Sequence, residues 1–212
     1  MYRPSAYAID DVAALHAVIR EHSFATVGAI AQGKQRFAYA PVVVDAFPVP
    51  RGALRFHLAR GNALAELDGE DIRFSFLGPN AYVSPDWYES DGFVPTWNYI
   101  AVEAGGTARR LDSDELHRLL VDLSAELEER LRPKLPWTID KIPEQRIATL
   151  LNGIRGFAVN LDTLEGKFKL SQDKKPEDIA GVIAGLEGQG DCVSRAVAAA
   201  MHSVLRTTTV CR

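Results

Sequence analysis

The stretch ALRFHLA, residues 53–59, alternates without a break: Leu54, Phe56 and Leu58 fall on one side of an extended chain, Arg55 and His57 on the other. A period of two marks a strand with one face in a core. The same signal recurs outward from it. SFATVGAI (23–30) and FAYAPVVVD (37–45) read as strands around the turn residues Gln32 and Gly33, and Ile72, Phe74 and Phe76 line one face of another. Further strands are predicted at 80–84 and 97–104, with Gly105-Gly106 as a turn or bulge. Phe157, Val159 and Leu161 alternate again, and the pattern runs on through Gly166-Lys167-Phe168-Lys169-Leu170. Short strands with tight connections predict a sheet that closes on itself.

Helical periodicity occupies the rest. Asp10 or Asp11 can cap a helix whose face is Val12, Leu15, Val18 and Ile19, and residues 62–67 read as a short helix stopped at Gly69. The strongest pattern spans 112–132, with Leu116, Leu119, Leu120, Leu123, Leu127 and Leu131 as its stripe and Asp112 with Glu115 as a capping box. Its seven acids against three Arg read as a solvated outer face. Short helices are predicted around 144–151, 176–186 and 194–205. No repeat or linker interrupts the chain. The expectation is one α+β domain over 1–212, with a helical insertion at about 112–151 and C-terminal helices at about 176–206.

Composition removes several classes of function. The 212 residues carry 24 Lys+Arg against 28 Asp+Glu, a formal net charge of −4, with 47% hydrophobic and 25% charged residues. That is the mix of a soluble globular protein. No run reaches the roughly 18–20 apolar residues of a membrane span, and Met1-Tyr2-Arg3-Pro4 opens no secretion signal, so a cytoplasmic protein is expected. Cys192 and Cys211 make neither a disulfide framework nor a CxxC clamp, and the five His show no ligand pairing, so no metal site is expected. No GxSxG elbow or Ser-His-Asp grouping appears, and no catalytic residue is assigned. Gly185, Gly188 and Gly190 follow a helix and are flanked by Glu187 and Asp191, which makes them a C-cap and turn rather than a phosphate loop. The acidic balance argues against broad DNA binding and leaves only local pairs such as Arg109-Arg110 or Lys174-Lys175 to touch it.

Three clusters carry chemistry. In FHLARGN (56–62), His57, Arg60 and Asn62 stand where a strand hands over to a turn, a place for a guanidinium, an amide and backbone N–H groups to meet an anion. GPNAYVSPDWY with VPTWNY gathers Tyr82, Trp87, Tyr88, Trp97 and Tyr99, a surface for a planar heteroaromatic ring or simply a core. Trp97 and Tyr99 share a strand face, with Asn98 on the other. In EGKFKLSQ (165–172), Lys167 and Lys169 project from one strand face with Phe168 behind.

Taken together, SFATV, FHLARGN, AYVSPDWY, VPTWNY and GKFKLSQ resemble the PaiB-type, or FMN-binding negative, transcriptional regulators, in order and over nearly the whole chain. That family is related to split β-barrel flavoproteins such as pyridoxamine phosphate oxidase. The resemblance implies a split β-barrel of the FMN-binding type with peripheral helices, a homodimer, and FMN as a small-molecule cofactor, with haem as the alternative. It implies cofactor contacts from His57, Arg60 and Asn62 at the phosphate, Trp97 and Tyr99 near the ring, and Lys167, Lys169 and Gln172 from the C-terminal strand. Where the family pattern continues like VHAYG, this chain has Val102-Glu103-Ala104-Gly105-Gly106. A carboxylate there opposes a phosphate or a reduced flavin by about 1 kcal/mol at 4 Å if well solvated. A ligand- or redox-sensing regulator is the function implied first. The alternatives are a flavin-dependent oxidoreductase of the pyridoxamine phosphate oxidase-like type, and a haem-binding barrel or one whose cofactor site has decayed.

Overall fold

The computed structural model describes residues 1–210, with side chains as far as Val204; Cys211 lies outside the described residues. The elements are β1 (Ala8–Ile9), α1 (Val12–Glu21), β2 (Phe24–Ala31), β3 (Lys34–Asp45), β4 (Ala53–Ala59), β5 (Asp71–Val83) and β6 (Thr96–Arg110). They continue with α2 (Ser113–Glu129), α3 (Glu144–Leu151), β7 (Ile154–Asn160), β8 (Thr163–Lys169), α4 (Pro176–Gly188) and α5 (Cys192–Val210). The strands form an antiparallel sheet ordered β1-β8-β6-β5-β2-β3-β4-β7, and β6 also pairs with β7. The run β6-β5-β2-β3-β4-β7 therefore returns on itself, an α+β fold of split-barrel type. Two compact units divide the chain: Val12–Phe76 with Glu103–Leu164, and Met1–Asp11 with Leu77–Val102 and the chain from Glu165 onward.

The larger unit holds the barrel. β4 pairs with β7 as Leu54↔Val159, Phe56↔Phe157 and Leu58↔Arg155, and with β3 as Val44↔Leu54 and Val42↔Phe56. Paired residues share a face. The apolar members of these pairs are all buried, and the ring of Phe56 meets Phe74 edge-on at 5.4 Å and Phe157 at 5.5 Å. On the opposite face Val43 and Leu111 pack against Leu116, Leu119 and Leu123 of α2. The predicted capping box is present: Asp112 Oδ1 accepts from the Glu115 N–H at 2.8 Å, and Glu115 Oε2 accepts from the Asp112 N–H at 3.0 Å. The acidic side of α2 is more than solvated, because Arg55 donates to Asp45 at 2.6 Å and to Asp122 at 2.8 Å, tying the helix to β4.

Several local readings are corrected. Residues 62–67 form successive turns, not a helix; the Ala65 N–H reaches only the Asn62 carbonyl three residues back, and Gly69 at φ +81° ends the run. The strands predicted at 72–76 and 80–84 are one strand, β5, whose buried positions move from even to odd numbers across Pro79-Asn80. A one-residue shift of that kind is what a bulge produces. Residues 157–170 are two strands with a turn at Leu161-Asp162. Gly105-Gly106 is neither turn nor bulge: β6 runs straight through. A Cβ on Gly105 would overlap the Arg73 side chain and one on Gly106 the Asn160 carbonyl, so glycine lets neighbouring chain segments approach.

In the smaller unit β1 pairs with β8 as Ala8↔Lys167 and Ile9↔Gly166. The long polar-aromatic loop is fastened onto α4. The Trp87 ring and carbonyl fill the space where side chains at Gly185 and Gly181 would stand, and the Ser90 N–H donates to buried Asp178 at 2.9 Å. Gly185 is thus a packing position inside the helix, and Gly190, at φ +74°, makes the turn beyond it. No helix among the described residues is long and apolar enough to cross a membrane.

Gly106→Ala should cost about 1–3 kcal/mol by overpacking, lowering the melting temperature by about 3–10 °C. Gly61→Ala, where the new methyl meets nothing within 4 Å, should leave it nearly unchanged. Equal melting temperatures for the two variants would refute the close-approach account of β6.

Candidate anion and cofactor site

β4 ends at Ala59, and Arg60 extends its ladder by one step, the Arg60 N–H donating to the Gly153 carbonyl at 2.8 Å. Alternation then places Arg60 on the side of Leu58, the barrel side. Register brings two residues to the same face that the sequence reading did not single out: Arg155, opposite Leu58, and Arg110, opposite Phe157. Arg155 is the most enclosed, its side chain 15% exposed. Its Nε is buried without a hydrogen-bond partner, and the nearest carboxylate oxygen, Glu66 Oε1, stands 3.8 Å away. Burial, and then the charges of Arg110 and Arg60, push this guanidinium below its usual range, with Glu66 opposing. Asp68 Oδ1 accepts from the Arg110 backbone N–H at 2.7 Å. A desolvated donor among like charges is an environment that an oxyanion stabilises.

His57 and Asn62 serve other ends. His57 pairs with Gly156, whose outer side is filled by Leu111 and Leu116, so His57 lies on the α2-covered face, opposite Arg155. Its Nδ1 is buried without a partner, and burial lowers its pKa from the usual 6.5. Asn62 Oδ1 accepts from the Leu64 N–H at 2.9 Å, which holds the turn after β4. Because residues 62–67 form turns rather than the expected helix, only the turn's own N–H groups adjoin Arg60 there.

The other expected residues belong to the smaller unit, and four of them are close neighbours. Lys167 is buried; its Nζ stands 5.3 Å from the ring centres of both Tyr99 and Tyr2 and donates to the Tyr2 carbonyl at 3.2 Å. Such cation–π contacts explain how a lysine tolerates enclosure. Lys169 Nζ donates to Thr96 Oγ1 at 2.5 Å and to the Trp97 carbonyl at 2.7 Å, and burial lowers its pKa. Gln172 closes the turn after β8, accepting from the Leu170 N–H and donating to the Phe168 carbonyl. Trp97 stands exposed with Tyr82 edge-on at 6.5 Å. Asn98 faces the other way, as alternation requires, and its amide donates to Ser171 Oγ at 2.9 Å.

In place of the aromatic that the family pattern puts at position 105, Arg73 lies across Gly105 and reaches Thr163 Oγ1 and Asp71, both at 2.9 Å. The local basic pairs are largely engaged: Arg109 with Glu115 at 2.8 Å, Lys174 with Asp173 at 2.9 Å. Among the described residues no three His, Cys, Asp or Glu side chains group as metal ligands.

Residues 1–163 match the family described as "Putative FMN-binding domain". The chain is 29% identical over 208 residues to "Protease synthase and sporulation protein PAI 2" of Bacillus subtilis, covering 97% of this chain and 99% of that protein. Among solved structures it resembles the FAD and heme binding protein from Mycobacterium smegmatis, with TM-score 0.55 and 18% identity over 84% of this chain and 80% of that one. The flavocytochrome Anf3 from Azotobacter vinelandii follows, with TM-score 0.53 and 15% identity over 76% and 69%. At these identities the two structures attest the fold alone.

The buried His57 yields a pH prediction. Because its folded pKa lies below 6.5, the unfolded chain takes up the proton first; its contribution is complete above that pH and lost as pH falls below it. His57→Leu should therefore flatten the decline in melting temperature between about pH 7.5 and 5.5. An unchanged slope, or an imidazole that protonates by NMR at or above 6.5, would contradict the burial argument.

Proposed function

The chain belongs to the PaiB-type family of FMN-binding split-barrel proteins, and from that premise we propose that it binds FMN and works as a ligand- or redox-sensing regulator. The residues present fit the phosphate end of that cofactor: Arg60 closes the inner face of β4 beside an unpartnered, buried guanidinium donor. That juxtaposition carries the reading. Bound FMN would supply a ring that accepts and releases one or two electrons. The chain's own contribution is to grip the phosphate through Arg60, with Asn62 shaping the turn that presents it. With a net charge of −4 and Arg109 and Lys174 already paired, DNA contact would rest on few residues and fall steeply with salt.

The same reading includes a homodimer. Phe24, Ile30, Phe37 and Tyr39 stand exposed on the outer face of β2 and β3, with the rings of Phe24 and Tyr39 stacked at 6.5 Å. Aromatic side chains on one open sheet face favour cover, and a self-complementary face on a second copy supplies it.

Two measurements test these points. In flavin titrations Arg60→Ala should weaken FMN by about tenfold to a hundredfold and leave riboflavin, which lacks the phosphate, nearly unaffected. Equal weakening of both would make Arg60 a folding residue, and a purified protein with a haem spectrum and no flavin affinity would overturn the cofactor. By light scattering the protein should have twice the 23.3 kDa chain mass, and Phe37→Glu with Tyr39→Glu should reduce it to one chain with unchanged circular dichroism. A wild-type mass of 23.3 kDa at micromolar concentration would exclude the dimer.

A further inference from the structure

We propose that Arg60, Arg110 and Arg155 together form a binding site for a terminal phosphate at the end of the barrel, with the Nε of Arg155 as its recessed donor. Assigning that phosphate to FMN rests on the reading above; the anion site itself does not. Three strands converge to build it. Arg60 extends β4, Arg110 ends β6 and Arg155 opens β7, and their registers set all three on the inner-face alternation beyond Leu58, Ala108 and Phe157.

The fold contains its own control. Arg55 is as enclosed as Arg155, its side chain 18% exposed, and it meets two carboxylates at hydrogen-bonding distance, Asp45 at 2.6 Å and Asp122 at 2.8 Å. Its protonated form is correspondingly favoured, chiefly by the hydrogen bond to Asp45. Arg155 has no such partner. Glu66 is mostly exposed and 3.8 Å away, and Asp68 engages the Arg110 backbone. An Nε–H withdrawn from water without an acceptor, on a guanidinium beside two others, is unfavourable by itself. An incoming oxyanion would supply the missing acceptor and neutralise the mutual repulsion in one step. A terminal phosphate suits the recess better than a nucleic-acid backbone, since its free oxygens can enter a site whose central donor is buried. The acidic chain offers a polyanion no surrounding attraction.

The test compares wild type, Arg155→Met and Arg110→Met by thermal melting in inorganic phosphate against chloride of equal ionic strength, with FMN and riboflavin titrations alongside. Phosphate should raise the wild-type melting temperature above that in chloride. Arg155→Met should melt higher than wild type in chloride, because the repelled charge is gone, and should lose the phosphate increment. Its FMN affinity should fall about tenfold or more while riboflavin is unaffected. Arg110→Met should lose most of the increment too, and decides the matter if Arg155→Met does not fold. A phosphate increment lost in these variants, in a protein that binds neither flavin, would keep the anion site and remove the FMN reading. FMN affinity that depends on Arg60 but is unchanged in both variants, with the phosphate increment intact, would overturn this site and keep FMN.

Discussion

The ladder between β4 and β7 is the constraint from which the barrel and its candidate site both follow. Its register runs from Ala53↔Asn160 to Ala59↔Ile154, and every pair shares a face. With Phe56 opposite Phe157, the apolar members fill the interior, and the only residues left for the end of the inner face are those that continue the same parity. A slip of one residue would turn Phe157 and Val159 toward α2 and bring Gly156 and Ala158 inward. It would also carry Arg155 away from Arg60. Core packing and the clustering of positive charge are thus two consequences of one register, and the large apolar term holds the charged residues where they would not gather unaided.

Much of this was legible locally. β4 and α3 occupy the bounds that alternation and periodicity indicate, 53–59 and 144–151, because each carries its own pattern and clear breakers at both ends. The capping box of α2 was readable for the same reason: its donors and acceptors lie three residues apart. What escaped depends on distant segments. Gly105-Gly106 looks like punctuation until Arg73 and Asn160 are seen to approach it. Gly78-Pro79 looks like a strand end, whereas a bulge there lets β5 continue with its parity reversed. Residues 62–67 have helical spacing, but six positions between a strand end and Asp68-Gly69 give too few backbone bonds to repay helix nucleation.

The candidate residues divide along the same line. That Trp97 and Tyr99 share a face opposite Asn98 follows from alternation. The surroundings of the lysines could not be read so, because Tyr2 and Tyr99, which enclose Lys167, lie far from it in the chain, as do Thr96 and Trp97, whose hydroxyl and carbonyl oxygens accept hydrogen bonds from Lys169. His57, grouped with Arg60 by proximity in sequence, is separated from it by parity, since odd and even residues of β4 face opposite ways. Arg155 had a signal of its own: it shares parity with Phe157 and Val159, and an arginine in register with core residues is unusual enough to ask about.

Arg55 and Arg155 show why residue type alone does not assign function. They lie on opposite faces of one ladder and are enclosed to a similar degree. Around Arg55 the carboxylates come from β3 and α2, elements whose positions are set by Val43, Leu116 and the rest of the outer cluster, so its charge is matched as soon as the chain folds. Around Arg155 the adjoining positions on the barrel side are Leu58, Arg60 and Arg110, and no folding step delivers an acid within hydrogen-bonding reach. At that end the chain supplies one exposed carboxylate at ion-pair distance, Glu66 at 3.8 Å, and no hydrogen-bonded acceptor for Nε, while Arg55 is held by two carboxylates. A buried donor that folding leaves without a hydrogen-bond acceptor depends on something outside the chain, and solvent is a poor candidate where Nε is already buried. The remaining source is a ligand that brings its own negative charge.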